Sequence, residues 1–291
     1  MRSEKAMMDL ILGVAQADSR VRAVTMNGSR VMNRKKDCFQ DFDIVYYVED
    51  FQSFLNNPDW VDVFGDRLYM QTKDDQVFDA SNLADDHYIY LMQFEDGNRI
   101  DLSLVPVERF KDTFKEDPMV KVLLDKDNRL DEPHVPDDRH FNVKRPTARI
   151  FSSCVNETLF VSMNVAKGLW REEPTYALEM LAIIRRCLRS MLAWKVGCDH
   201  DFNVSVGKFS RHLDDYLEPR LYEGLLKTYT TADIESVWKG LFRLVETFDD
   251  AASHVARTLG YTYPQEDTEK ILQYLKTVQK DSIKKGCSDE S

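Results

Sequence analysis

Met26-Asn27-Gly28-Ser29-Arg30, followed with eleven residues between Ser29 and Asp41 by Asp41-Phe42-Asp43-Ile44-Val45-Tyr46-Tyr47-Val48, decides how this chain is read. A short β-prone run, Val21 to Met26, breaks at Asn27-Gly28-Ser29, and the aromatic and β-branched residues from Phe42 to Val48 predict the next strand. Alternate residues of a strand share a face, so Asp41 and Asp43 project together while Phe42 and Ile44 turn to a core. A third acid, Asp101, stands in the apolar run Ile100-Asp101-Leu102-Ser103-Leu104-Val105. A carboxylate there is costly unless it is paired or binds a cation. Acids are 50 of 291 residues, so an acid-x-acid pair alone means little. The strand context, the upstream Gly-Ser and the lone Asp101 give it weight.

The chemistry these residue types suit is nucleotidyl transfer. Gly28 lets backbone approach a phosphate, Ser29 offers a hydroxyl and an N–H to phosphate oxygens, and Arg30 adds a cation nearby. Asp41 and Asp43 are hard oxygen ligands of the kind Mg²⁺ prefers, shared between two ions and a nucleoside triphosphate. Asp101 completes the site, either as a ligand of the second cation or as acceptor of the proton from the attacking hydroxyl. The expected reaction is in-line displacement at the α-phosphate with pyrophosphate leaving. A Gly-x4-Gly-Lys-Ser/Thr loop is missing, and so are the protein-kinase signatures. The six histidines, His87 and His134 among them, show no zinc-ligand spacing on a helix.

Outward from this core the first half reads as mixed α/β. Apolar positions Met7, Leu10, Ile11, Val14 and Ala15 after Ser3 predict a capped helix over 3–18. Tyr88–Phe94 and Arg99–Val105 flank Glu95-Asp96-Gly97-Asn98 as a hairpin, and a helix is expected over 107–115. Between Asp125 and Pro146 periodicity fades among Pro133, Pro136 and Pro146. From Ala148 the pattern is helical, over 148–169, 174–196, 218–229, 233–259 and 266–283, with Pro174 opening one helix and Gly260 stopping another. The expected class is α+β: a nucleotidyltransferase fold, a mixed β-sheet flanked by helices, followed by an α-helical bundle. The expected boundaries are a catalytic domain over 1–135, a linker over 136–146 and a helical substrate-binding domain over 147–291.

Residues 1–145 hold 20 basic and 29 acidic side chains, against 19 and 21 in the remainder. An acidic first half is a poor footprint for nucleic acid and suits a cationic small molecule, although such charge also serves plain solubility. The cysteines, 38, 154, 187, 198 and 287, are odd in number and form no C-x-x-C, which reads as reduced thiols in a cytoplasmic protein. Nothing beside Cys38 would serve it as a base. The N-terminus has no signal-peptide pattern, and no apolar stretch reaches membrane-spanning length.

The order Gly-Ser, spacer, Asp-x-Asp, then Asp on a later strand resembles the nucleotidyltransferase superfamily of DNA polymerase β. More closely, the chain resembles the bacterial aminoglycoside 6-adenylyltransferases (streptomycin adenylyltransferases). The matching text is Met26–Arg30, Asp41–Val45 and Arg99-Ile100-Asp101-Leu102. In the helical half it is Val165-Ala166-Lys167-Gly168-Leu169-Trp170-Arg171 and Phe202-Asn203-Val204-Ser205-Val206-Gly207-Lys208. The resemblance implies ATP and Mg²⁺ as co-substrates, AMP placed on the streptidine 6-hydroxyl of streptomycin, and antibiotic resistance. It also implies helical-domain cations for the triphosphate, for which Lys167, Lys208 and Arg171 are the candidates. A helical-domain acid for the drug's guanidinium groups could be Glu157, Glu172, Glu173 or Glu179, with Glu157 preferred. Tyr46, Tyr47, Tyr88, Tyr90 and Trp170 could stack on adenine, although the four tyrosines read more readily as core or sheet surface. An RNA or protein hydroxyl as acceptor, or a non-catalytic antitoxin or nucleotide-binding module, stays open as an alternative. Arg129 and His134, the only Arg-His pair at ribonuclease-like spacing, fall in the proline-bearing segment. No heptad seam or repeat demands assembly, so a monomer or weak dimer is expected.

Overall fold

The computed structural model describes residues 1–31, 37–78, 86–130 and 132–289, with the side chains of Ser29 and of 283–289 outside that description. The chain resolves into two units, Met1–His140 and Phe141–Ser291.

In the first unit, α1 (Glu4–Ala17) starts where the Ser3 side chain accepts from the Ala6 N–H, and it buries Met7, Ile11 and Ala15. β1 (Val21–Met26) leads through a 3₁₀ turn at Gly28–Arg30 to β2 (Phe42–Val48), and the short α2 (Phe51–Leu55) follows. β3 (Arg67–Thr72), the hairpin β4 (Tyr88–Phe94) and β5 (Arg99–Pro106), α3 (Phe110–Glu116) and β6 (Lys121–Asp125) complete it. The sheet order is β3-β4-β5-β2-β1-β6. Only β2 and β5 pair in parallel; the other neighbours are antiparallel.

Strand alternation puts two cores on the two faces of this sheet. Phe42, Ile44 and Tyr46 pack with Ile100, Leu102, Leu104 and the buried face of α1. Tyr47, Ala23 and Val105 pack on the other face with Phe110. Tyr46 donates its hydroxyl to the Ile11 carbonyl, and Tyr47 donates to Thr113 Oγ1 at 2.9 Å while its ring meets Phe110 edge-on. Tyr46, Tyr47 and Tyr90 are therefore core, and none of them offers a free face to adenine.

Neither β3 nor β6 is expected from the sequence. Both are edge strands, paired on one side only. Leu68 and Tyr69 of β3 are 70% and 74% exposed, so no buried alternation marks it.

The second unit is helical: α4 (Ala148–Trp170), α5 (Pro174–Asp199), α6 (Pro219–Leu226), α7 (Ile234–Leu259) and α8 (Gln265–Asp289). Thr147 and Asp233 cap α4 and α7 with their side-chain oxygens, and Pro174 opens α5. Gly260 ends α7 in the left-handed region at φ 72°. α5 packs between α4 and α7 around Leu181, Ile184, Leu188 and Leu192. The sequence placed α6 over 218–229; it is shorter because Thr228 turns back to bond the Leu225 carbonyl and hold Arg185.

Candidate active site

The acid row follows from the pairing of β2 with β5. Asp43 and Asp101 are direct register partners in the parallel pair, and Asp41 precedes β2 on the same alternation. These acids share the sheet face whose far end is filled by Tyr47, Val105 and Phe110.

The turn before β2 is fitted to this row. Gly28 sits at φ 71°, and a β-carbon there would come within 2.1 Å of Asp43 Oδ2. The Asn27 N–H donates to the Asp43 carbonyl at 2.9 Å, tying the turn to β2. Thr25 Oγ1 donates to Asn27 Oδ1 at 3.0 Å, and Asn27 Nδ2 donates to Asp117 at 3.2 Å. Ser29 lies within the turn, its side chain outside the described atoms.

Arg30, expected from the sequence to face phosphate, is instead a brace. Its side chain is only 8% exposed. Nε donates to the Asp41 carbonyl at 2.9 Å, Nη2 donates to the Gln40 carbonyl, and the guanidinium stacks 3.9 Å from the Phe42 ring centroid. Those bonds hold the approach to β2 and leave the guanidinium little reach toward a ligand.

Charge is crowded here. Burial pushes the Asp43 carboxyl up to about 6, and the negative charges of Asp101 and Asp41 push the same way. Asp41 is also raised, by burial first, with Arg99 opposing. Arg99 grips Asp101 side-on, Nε to Oδ1 at 2.7 Å and Nη2 to Oδ2 at 3.0 Å, and its Nε lies 3.8 Å from Asp41.

Among the described residues no three His, Cys, Asp or Glu side chains form a ready-made metal cage. The donor set still fits Mg²⁺. It offers hard carboxylate oxygens on one strand face, with three acids against the two guanidiniums, Arg99 and Arg30, near them. Mg²⁺ characteristically takes one or two carboxylates and completes its shell with water and substrate phosphate. A cavity of about 620 Å³ in the first unit opens by Lys121, Asp125 and His134, and the three acids do not line it.

In the helical unit Lys167, Arg171, Glu157 and Lys208 are all exposed. Lys208 stands 5.5 Å from the Phe209 ring centroid. The residues on either side of it, Gly207 and Phe209, line a cavity of about 390 Å³ with Lys144, Arg186, Arg189 and Trp194. No acid lines this cavity. Phe209 and Ser210, consecutive on its wall, both have positive φ, 56° and 63°, strain of the kind concentrated at binding sites. Lys167 and Glu157 are not part of its lining. The sequence reading missed Lys144, Arg186 and Arg189. The available signal was the i,i+3 pair Arg186 and Arg189, two cations that share one face of α5.

A carboxylate row on paired parallel strands beside a glycine turn is an arrangement suited to nucleotidyl transfer. The sequence profile of the streptomycin adenylyltransferase family matches residues 1–278. An aminoglycoside 6-adenylyltransferase of Bacillus subtilis (strain 168) is 40% identical over 277 residues, 94% of this chain and 97% of that protein. One from Campylobacter jejuni is 39% identical over 278 residues, 94% and 95% of the two chains. A crystal structure of an aminoglycoside 6-adenyltransferase from Bacillus subtilis is 36% identical, with a TM-score of 0.47 over 96% of this chain and 99% of that one. The chain belongs to the streptomycin adenylyltransferase family. No helix among its described residues is long and apolar enough to cross a membrane.

Proposed function

We propose that this enzyme transfers AMP from ATP to a hydroxyl of a streptomycin-type aminoglycoside, the streptidine 6-hydroxyl, releasing pyrophosphate and so conferring resistance. The observation that carries the reading is the in-register pair Asp43–Asp101 with Asp41 alongside and Gly28 against Asp43. Asp41 and Asp43 hold Mg²⁺, two ions being the expected number, and Asp101 either joins them as a ligand or takes the proton of the attacking hydroxyl. Bound Mg²⁺ neutralises charge on the triphosphate and activates the α-phosphate toward attack.

The chain's own groups do the positioning. Gly28 keeps the Asp43 carboxylate clear of steric interference, and the Gly28-Ser29 backbone approaches phosphate. Arg30 fixes Asp41 by its backbone carbonyl. Lys208, beside the cavity of Lys144, Arg186 and Arg189, supplies positive charge for the triphosphate, with Lys167 a further contributor. Glu157, exposed on α4, is proposed for the drug's guanidinium groups. In this reading 1–135 is the catalytic domain, 136–146 a linker and 147–291 the substrate-binding domain. The acidic first half supports a cationic acceptor over nucleic acid. The free thiols of Cys38, Cys154, Cys187 and Cys198 support a reducing, cytoplasmic setting. The enzyme is proposed to act as a monomer or weak dimer.

The test is pyrophosphate release from ATP and Mg²⁺ with and without streptomycin, with mass spectrometry of the drug. A gain of one AMP on the drug, lost in Asp43→Asn, supports the proposal. Drug-independent turnover, or no mass gain, rejects the acceptor.

A further inference from the structure

The Asp101 carboxylate is engaged by a cation of its own strand. Both of its oxygens accept from Arg99, at 2.7 and 3.0 Å, and the same guanidinium lies 3.8 Å from Asp41. Arg99 and Asp101 are two residues apart on β5 and share its face with Asp43 on β2. Among the described residues, the Arg99 side chain bonds to no group outside this acid row. Its bidentate grip is on an acid of its own strand, and its one cross-strand ion pair is again with an acid of the row. Arginine stays charged at any working pH, so it leaves a carboxylate by exchange and not by losing its proton. The Arg99 side chain is 39% exposed, which gives it room to turn away.

We propose that Arg99 is the resident counter-ion of the acid row, exchanged for the incoming divalent cation. Asp101 is held in the guanidinium fork while no metal is bound and is released from it when metal arrives. Arg99 is thus a positioning residue that sets cation affinity, and this role rests on the metal-dependent reading above. In the free state the fork fixes the Asp101 rotamer and offsets part of the repulsion among Asp41, Asp43 and Asp101. The same fork makes metal binding competitive, because a cation that draws on Asp101 must break at least one of its two bonds.

Mn²⁺ binding to the nucleotide-free protein, followed by the electron paramagnetic resonance signal of free Mn²⁺, tests this without turnover. Arg99→Gln removes both the charge and the fork, and it should bind Mn²⁺ at least ~3-fold more tightly than wild type, since a unit positive charge a few ångströms from the cation is gone. Arg99→Lys keeps the charge and loses the fork, and it should fall between the two. Asp43→Asn should abolish the binding in either background. Mn²⁺ bound by Arg99→Gln no more tightly than by wild type overturns the inference. If Arg99→Gln does not fold, Arg99→Met serves in its place, and Mn²⁺ bound by it no more tightly than by wild type overturns the inference equally. AMP transfer to streptomycin by the wild-type enzyme is scored separately. Transfer with unchanged Mn²⁺ affinity in Arg99→Gln sinks this inference alone. Tighter Mn²⁺ binding without transfer sinks the proposed acceptor alone.

Discussion

Gly28 lies so close to Asp43 that a single methyl group on it would reach within 2.1 Å of Asp43 Oδ2. Its φ of 71° already disfavours a side chain, so two independent penalties meet at one residue. Gly28→Ala should cost about 1–3 kcal/mol of stability and at least ~10²-fold in turnover, because the acid must move aside. Thermal unfolding and AMP-transfer rates measure both losses, and near-wild-type turnover would show that Asp43 can work from another rotamer.

Asp41→Asn and Asp43→Asn should each abolish turnover with the fold retained, and Asp101→Asn should lower the rate by at least ~10²-fold. Circular dichroism controls for folding. A loss of only a few-fold in Asp101→Asn would move the proton-accepting role to a helical-domain acid.

The Asp43 carboxyl titrates at about 6, above its ordinary 3.8, because burial and two neighbouring acids disfavour its charge. The unfolded chain therefore binds fewer protons at this group than the native state between those two values. Its contribution to stability is complete below pH ~4 and is lost as pH rises through 6. In metal-free protein, Asp43→Asn should accordingly become the more stable variant at neutral pH, by roughly 1–3 kcal/mol. Melting curves from pH 4 to 8 should diverge upward with pH. Parallel curves would mean the carboxylate is not strained.

Arg30→Ala should destabilise by about 2–4 kcal/mol, from two charged hydrogen bonds to carbonyls and one stacked ring. Its effect on the Michaelis constant for ATP should be smaller than that of Lys208→Ala. The reverse order would restore a direct phosphate role to Arg30.

The double variant Arg186→Gln/Arg189→Gln should raise the Michaelis constant for ATP by about 10-fold or more, with a lesser effect on kcat. An unchanged constant would detach the cavity of the helical unit from nucleotide binding.

The acid row was legible because β2 and β5 have buried alternation: Phe42, Ile44, Ile100 and Leu102 mark one face and thereby place Asp41, Asp43 and Asp101 on the other. The hairpin was legible from Asp96-Gly97, and the long helices from their apolar stripes and caps. Edge strands β3 and β6 carry no comparable signal, since a strand paired on one side need not bury alternate residues. The Arg30 role was hidden because a guanidinium next to a glycine turn looks alike whether it faces ligand or carbonyls. Only the position of the Phe42 ring separates the two. The cations of the helical cavity come from separate stretches, Lys144 before α4 and Arg186 and Arg189 within α5, so no local pattern gathers them.

Because β2 and β5 run parallel, the chain between them must cross over before Asp101 can pair beside Asp43. Closure of the sheet and the meeting of the like charges are thus one folding event. A cation present during refolding should speed that step, while Arg99, arriving on the same strand as Asp101, brings its own counter-charge to the encounter. On the ribosome, Asp101 cannot join Asp41 and Asp43 until β5 has emerged and paired with β2.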